Sequence, residues 1–122
     1  MSPEEALDRF GTFLMRRVRD EAISYWDMIV AGEMKGKRAQ DIHTRVEKLP
    51  ADAVAVLHDL IPQVVDSTLH QLLWGLEEAD DITVDVDDVH DIKSVSDGLA
   101  GELYTEDGWI AEFSQQRSVK LE

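Results

Sequence analysis

The chain has 122 residues, 43% of them hydrophobic and 31% charged. That suits one domain with a core of its own and excludes wholesale disorder. Twelve Lys and Arg against 26 Asp and Glu give a net charge of −14, which excludes nucleic-acid binding through a general basic face and disfavours an anionic membrane surface.

The charge is unevenly placed. Residues 1–48 hold nine acids and nine bases; residues 49–92 hold eleven acids and no Lys or Arg; residues 93–122 hold six acids and three bases. The absence of cysteine excludes disulfides, thiolate metal sites and Cys nucleophiles. The acidic start Met1-Ser2-Pro3-Glu4-Glu5 carries no basic-then-apolar leader, and no apolar run has the length of a membrane span. A cytoplasmic protein is expected.

Ser2-Pro3-Glu4-Glu5 predicts a helix start, with Ser2 as cap, Pro3 in the first turn and Glu5 completing a capping box. Leu7, Phe10, Leu14, Val18, Ala22, Tyr25 and Ile29 recur every three or four residues, predicting one helix that ends near Gly32. Gly11 within it implies close packing or a local bend. Lys35-Gly36-Lys37 predicts a turn, and Ala39, Ile42, Val46 and Leu49 a short helix after it. From Pro50 a third helical region carries Val54, Leu57, Ile61, Val65, Leu69, Leu72 and Leu76, and Pro62 in its middle predicts a kink or two consecutive helices.

After Glu78 the period changes. Ile82, Val84 and Val86 alternate with polar residues as in a half-buried strand. Leu99–Tyr104 and Trp109–Phe113 complete a three-stranded antiparallel sheet, the last two joined in a hairpin through Thr105-Glu106-Asp107-Gly108. The expected fold is therefore α+β: three to four N-terminal helices packed on a small sheet with a C-terminal hairpin. It spans residues 1–114 as a single domain and leaves 115–122 as a loose polar tail. Leu121-Glu122 at its end reads as a cloning scar.

The densest chemical feature is residues 77–91, in which Glu77, Glu78, Asp80, Asp81, Asp85, Asp87, Asp88 and Asp91 make eight carboxylates in fifteen positions. An EF-hand counted from Asp85 fails, with His90 where Gly is required and Ser96 where Glu is required. An ordinary solvated face interleaves both signs of charge. A base-free stretch of this length points instead to a docking surface for a basic protein, whose cations would relieve the repulsion and speed encounter.

Asp66 and His70 lie four apart on the third helical region, with Glu77 seven beyond. The three form an alternative metal site or an oriented general base, against the simpler alternative of a local Asp–His ion pair. No histidine pair has zinc-protease spacing and no serine has a nucleophile-elbow context. No cofactor is expected, and an interaction protein is favoured over a metal-dependent hydrolase. Trp26, Trp74 and Trp109 are expected in or beside the core. In size, acidity and lack of cysteine the chain resembles bacterial immunity or antitoxin proteins; the likeness, of class rather than motif, implies an inhibitory module that neutralises a cationic partner.

Overall fold

A computed structural model describes residues 1–117. The first helix begins where the capping residues place it. α1 (Pro3–Phe13) is capped by Ser2, whose Oγ accepts the Glu5 backbone N–H at 3.1 Å. It runs without a break through a π-helical segment (Leu14–Arg19) into α2 (Asp20–Ala31), which stops at Gly32 with φ 82°. The π segment was not foreseen, and it changes which residues are inside. A π turn takes one residue more than an α turn, so it rotates everything after it about the axis. Leu14 stays buried, but Val18 and Tyr25 of the expected stripe are exposed, and Met15, Arg19 and Ile23 are buried in their place.

Gly36 opens α3 (Lys37–Val46), as the turn predicted. α4 (Ala51–Glu78) is one helix of 28 residues that runs through Pro62 instead of dividing there. Pro62 is itself buried. α4 packs along α2 and the π segment.

The expected sheet is absent: the described residues hold no sheet and the fold is mostly α. The strand expected at Ile82–Val86 is loop, with one isolated antiparallel bridge between Val86 and Val89. The two strands of the expected hairpin are a 3₁₀ turn (Ala100–Leu103) and a short helix, α5 (Trp109–Phe113). An earlier 3₁₀ turn covers Ile92–Ser94. The Thr105–Gly108 turn does form, closed by Gly108 N–H to the Thr105 carbonyl at 2.8 Å, but it joins helical segments. The physical reason lies in spacing. Leu99, Ala100 and Leu103 are buried, as are Trp109 and Ile110 with Phe113 packed beside them. Offsets of one, three and four residues are those of a helical face, whereas a strand would bury alternate residues.

One core joins these pieces: Leu14 and Met15 of the π segment, Leu69 and Leu73 of α4, Leu99, Ala100 and Leu103, and Trp109 and Ile110 of α5. Gly11 makes it possible. A Cβ there would lie 2.6 Å from the Trp109 indole, so the glycine provides close packing. Phe10 meets the same indole edge-to-face, with ring centroids 5.9 Å apart.

The chain after α5 is not loose over its described part. Ser114 Oγ donates to Asp20 Oδ1 at 2.6 Å, Gln115 N–H to Asp20 Oδ2 at 2.7 Å, and Gln116 Nε2 to Ser24 Oγ at 3.0 Å. Arg117 pairs with Asp27 at 2.9 Å and contacts His58 Nε2. Successive residues of this strap thus engage successive turns of α2. The rest of the expected tail, 118–122, including Leu121-Glu122, lies outside the described residues.

A candidate acidic groove on α4

The C-terminal half of α4 and the segment around the second 3₁₀ turn enclose an open groove of about 600 Å³. His70, Trp74 and Glu77, spaced four and three apart, share one face of α4 and form one wall. Asp97 and Glu102 form the other, with Gly98 and Gly101 between them. Among the described residues, neither Lys nor Arg lines the groove. Trp74 is 49% exposed, an aromatic face on the surface where sequence reasoning placed it in or beside the core. Trp26, at 40%, is likewise outside, and Trp109 alone of the three is buried.

The walls are tied together by a carboxylate. Glu77 Oε1 accepts the Ala100 backbone N–H at 3.3 Å, at the start of the 3₁₀ turn. A Cβ on Gly98 would lie 3.3 Å from that same oxygen, so the backbone comes close to Glu77 there. Across the groove, burial pushes the Glu102 carboxyl above its ordinary pKa, opposed by a hydrogen bond from Ser96 and assisted by the negative charges of Asp8 and Asp97. This is a site whose described lining carries an excess of negative charge, with no Lys or Arg among those residues.

One turn before His70 on α4, Asp66 belongs to a second polar arrangement. Arg19, 2% exposed, directs its guanidinium at Asp66, with Nε to Oδ1 at 2.7 Å and Nη2 to Oδ2 at 3.4 Å. The same guanidinium donates to Ser114 Oγ at 2.7 Å, to the Arg117 carbonyl at 3.1 Å and to the Gln116 carbonyl. It is a two-pronged pairing of the kind that a planar guanidinium favours. The π segment brings Arg19 to this inward position, and the strap closes over it.

The expected Asp66–His70 partnership is not made. Asp66 is taken by Arg19, from 47 residues away, and its backbone carbonyl accepts the Tyr104 hydroxyl at 3.3 Å. His70 packs its ring against Tyr104, with centroids 5.8 Å apart and planes tilted by 39°. Its Nδ1 is buried and has no hydrogen-bond partner among the described residues. Burial, with the nearby charge of Asp66, raises the Tyr104 pKa. His70 and Glu77 both reach the groove, but the alternative trio of Asp66, His70 and Glu77 does not assemble. Among the described residues, no group of three or more His, Asp or Glu side chains is arranged to hold a metal ion.

The other carboxylates of 77–91 are distributed differently from the flat acidic strand expected. Glu78, Asp80, Asp81, Asp87 and Asp88 are exposed, with Asp88 3.8 Å from the N-terminal amine. Asp85 and Asp91 are structural: Asp85 Oδ1 accepts the Asp91 N–H at 2.9 Å, Oδ2 faces His90 Nδ1 at 3.1 Å, and Asp91 Oδ1 accepts the Val84 N–H at 3.4 Å. The Asp91 N–H and the His90 contact hold Asp85 below the usual carboxylate pKa. Lys93 then anchors the loop to the end of α4, donating to the carbonyls of Leu76, Ala79 and Ile82. Of the eight acids, only Glu77 lines the groove. The density of charge in 77–91 does not point to Asp97 and Glu102; their signal in the sequence is company, since each stands next to a glycine in Asp97-Gly98 and Gly101-Glu102, where backbone approaches other groups closely.

Among the described residues no helix is long and apolar enough to cross a membrane. Comparison with protein families, curated proteins and solved structures finds no match to this chain.

Proposed function

We propose that this protein is an interaction module that binds a basic protein partner, with an inhibitory, immunity-like role as the form this takes. The observation that carries the reading is the groove, in which Glu77, Asp97 and Glu102 surround a half-exposed Trp74, with no Lys or Arg among the described residues that line it. A lysine or arginine side chain laid across the indole gains a cation–π contact of about 0.5–2 kcal/mol and meets carboxylates on both walls. The exposed acids Glu78, Asp80, Asp81, Asp87 and Asp88 extend the negative field beyond the groove, which steers a cationic partner toward it.

The test uses the protein as bait in lysate of its source cells at low and high salt, beside an Asp97→Asn/Glu102→Gln/Trp74→Ala bait. The reading expects a basic protein retained by the wild type at low salt, released at high salt and lost by the triple variant. Equal capture by both baits, or capture indifferent to salt, overturns it.

A further inference from the structure

Which cation the groove on α4 fits follows from its shape, and rests on the reading of that groove as the site for a basic partner. Lysine offers a compact, strongly hydrated ammonium, whereas arginine offers a flat, weakly hydrated guanidinium with all its donors in one plane. The shape is set by spacing. Trp74 and Glu77, three residues apart, are neighbours on one face of α4, so a carboxylate stands beside the indole. Trp74 is half-exposed, and Glu77 is held in position by the Ala100 N–H. On the opposite wall Asp97 is exposed and Glu102 half-buried. Gly98 and Gly101 lie between them without side chains, and a Cβ on Gly101 would meet no described atom within 4 Å. There is open space on that wall for a side chain that enters from outside.

A cation in this groove meets two demands together: contact with a ring face and hydrogen bonds to acids on both walls. A guanidinium stacks through its own face and keeps every N–H at its edge. One arginine can therefore cover the indole and still donate sideways to carboxylates on either side. An ammonium has its donors spread about a point. Pressed against the ring, it turns a donor toward carbon, and the contact with the indole competes with the contacts to the acids. Its water is also harder to remove, and the groove is a place where burial already acts against the charged form of Glu102.

We propose that the groove is selective for arginine over lysine: the protein partner inserts one arginine side chain, its guanidinium stacked on Trp74 and donating to Glu77 on one wall and to Asp97 or Glu102 on the other.

Two peptides of equal charge, Gly-Arg-Gly and Gly-Lys-Gly with both ends blocked, are titrated at low salt into the isotope-labelled full chain. Binding is read by NMR at the Trp74 indole N–H and at the Gly98 and Gly101 amides. The arginine peptide is expected to bind about fivefold more tightly than the lysine peptide. Trp74→Phe keeps a flat ring and is expected to keep the preference; Trp74→Leu is expected to bring the two peptides level, both variants being read at the glycine amides. Equal affinity of the wild type for both peptides overturns the proposal and leaves the groove as a site for any cation. No response to either peptide overturns the proposal together with the reading of the groove beneath it. A preference that survives Trp74→Leu overturns the stacking. Tighter binding of unblocked arginine than of the blocked peptide overturns a protein as the source of the side chain.

Discussion

Replacing Arg19 with methionine removes the guanidinium that joins α1–α2, α4 and the strap. Methionine matches the aliphatic stem and can follow its path, so the loss is mainly of polar contacts. Five hydrogen bonds go: two to Asp66, one to Ser114 and one each to the carbonyls of Gln116 and Arg117. The carboxylate left behind matters more than the bonds counted singly. The Asp66 side chain is only 16% exposed, and breaking a buried pair from one side costs about 3–5 kcal/mol. At this chain length each kcal/mol moves the melting temperature by roughly 3–5 °C, so Arg19→Met is expected to melt about 10–20 °C lower in a thermal scan followed by circular dichroism. Arg19→Met/Asp66→Leu is expected to lose less than the sum of the two single variants, because the stranded charge is gone. If Arg19→Met costs under about 1 kcal/mol, the pair behaves as an exposed one, and the account of the π segment as the device that buries it is refuted.

Further outcomes follow from the same structure. Gly11→Ala is expected to destabilise by about 1–3 kcal/mol in urea unfolding, since overpacking against Trp109 exceeds the helix propensity gained; a stabilised variant would show the indole free to move. Glu102 has a folded pKa above its unfolded value, so the folded carboxyl holds its proton more tightly and stability falls as pH rises from the unfolded pKa to the folded one. Glu102→Gln is therefore expected to raise the melting temperature at neutral pH and to do so much less below the carboxylate range; an equal effect at both would refute the charge explanation. Asp85 has the opposite sign: its contribution is present above the unfolded pKa and lost as pH falls through the lower folded one. Asp85→Asn is expected to speed amide exchange at Asp91 at neutral pH, with unchanged exchange counting against the loop account.

The N-terminal half of the fold was legible because its elements are long. Ser2-Pro3, Gly32 and Gly36 mark boundaries by their own backbone preferences, and a stripe from Leu7 to Ile29 gives enough turns to define a period. The one residue added by the π segment leaves no mark in that pattern, which is why Val18 and Tyr25 were placed inside and Arg19 was not. The C-terminal part failed for the opposite reason. Leu99–Tyr104 and Trp109–Phe113 are so short that alternation and helical spacing both describe them, and Asp107-Gly108 closes a turn between helices as readily as between strands. The acidic excess was read from linear density and so assigned to 77–91. Density does not show that Asp85 and Asp91 are spent on their own loop, or that Glu77 meets Asp97 and Glu102 across a groove. Asp66 was paired with His70 by helical spacing, whereas its partner comes from another helix and was not locally visible.

The groove as the place of binding is tested most directly by putting a photo-crosslinking amino acid at Gln71, an exposed residue of the groove wall, and irradiating the full chain in lysate of its source cells. A control carries the same group at exposed Glu4 on α1. The account predicts that Gln71 captures a basic protein, that high salt abolishes capture, and that the Glu4 position does not capture it. Capture from Glu4 alone, or capture from Gln71 that survives high salt, would contradict it.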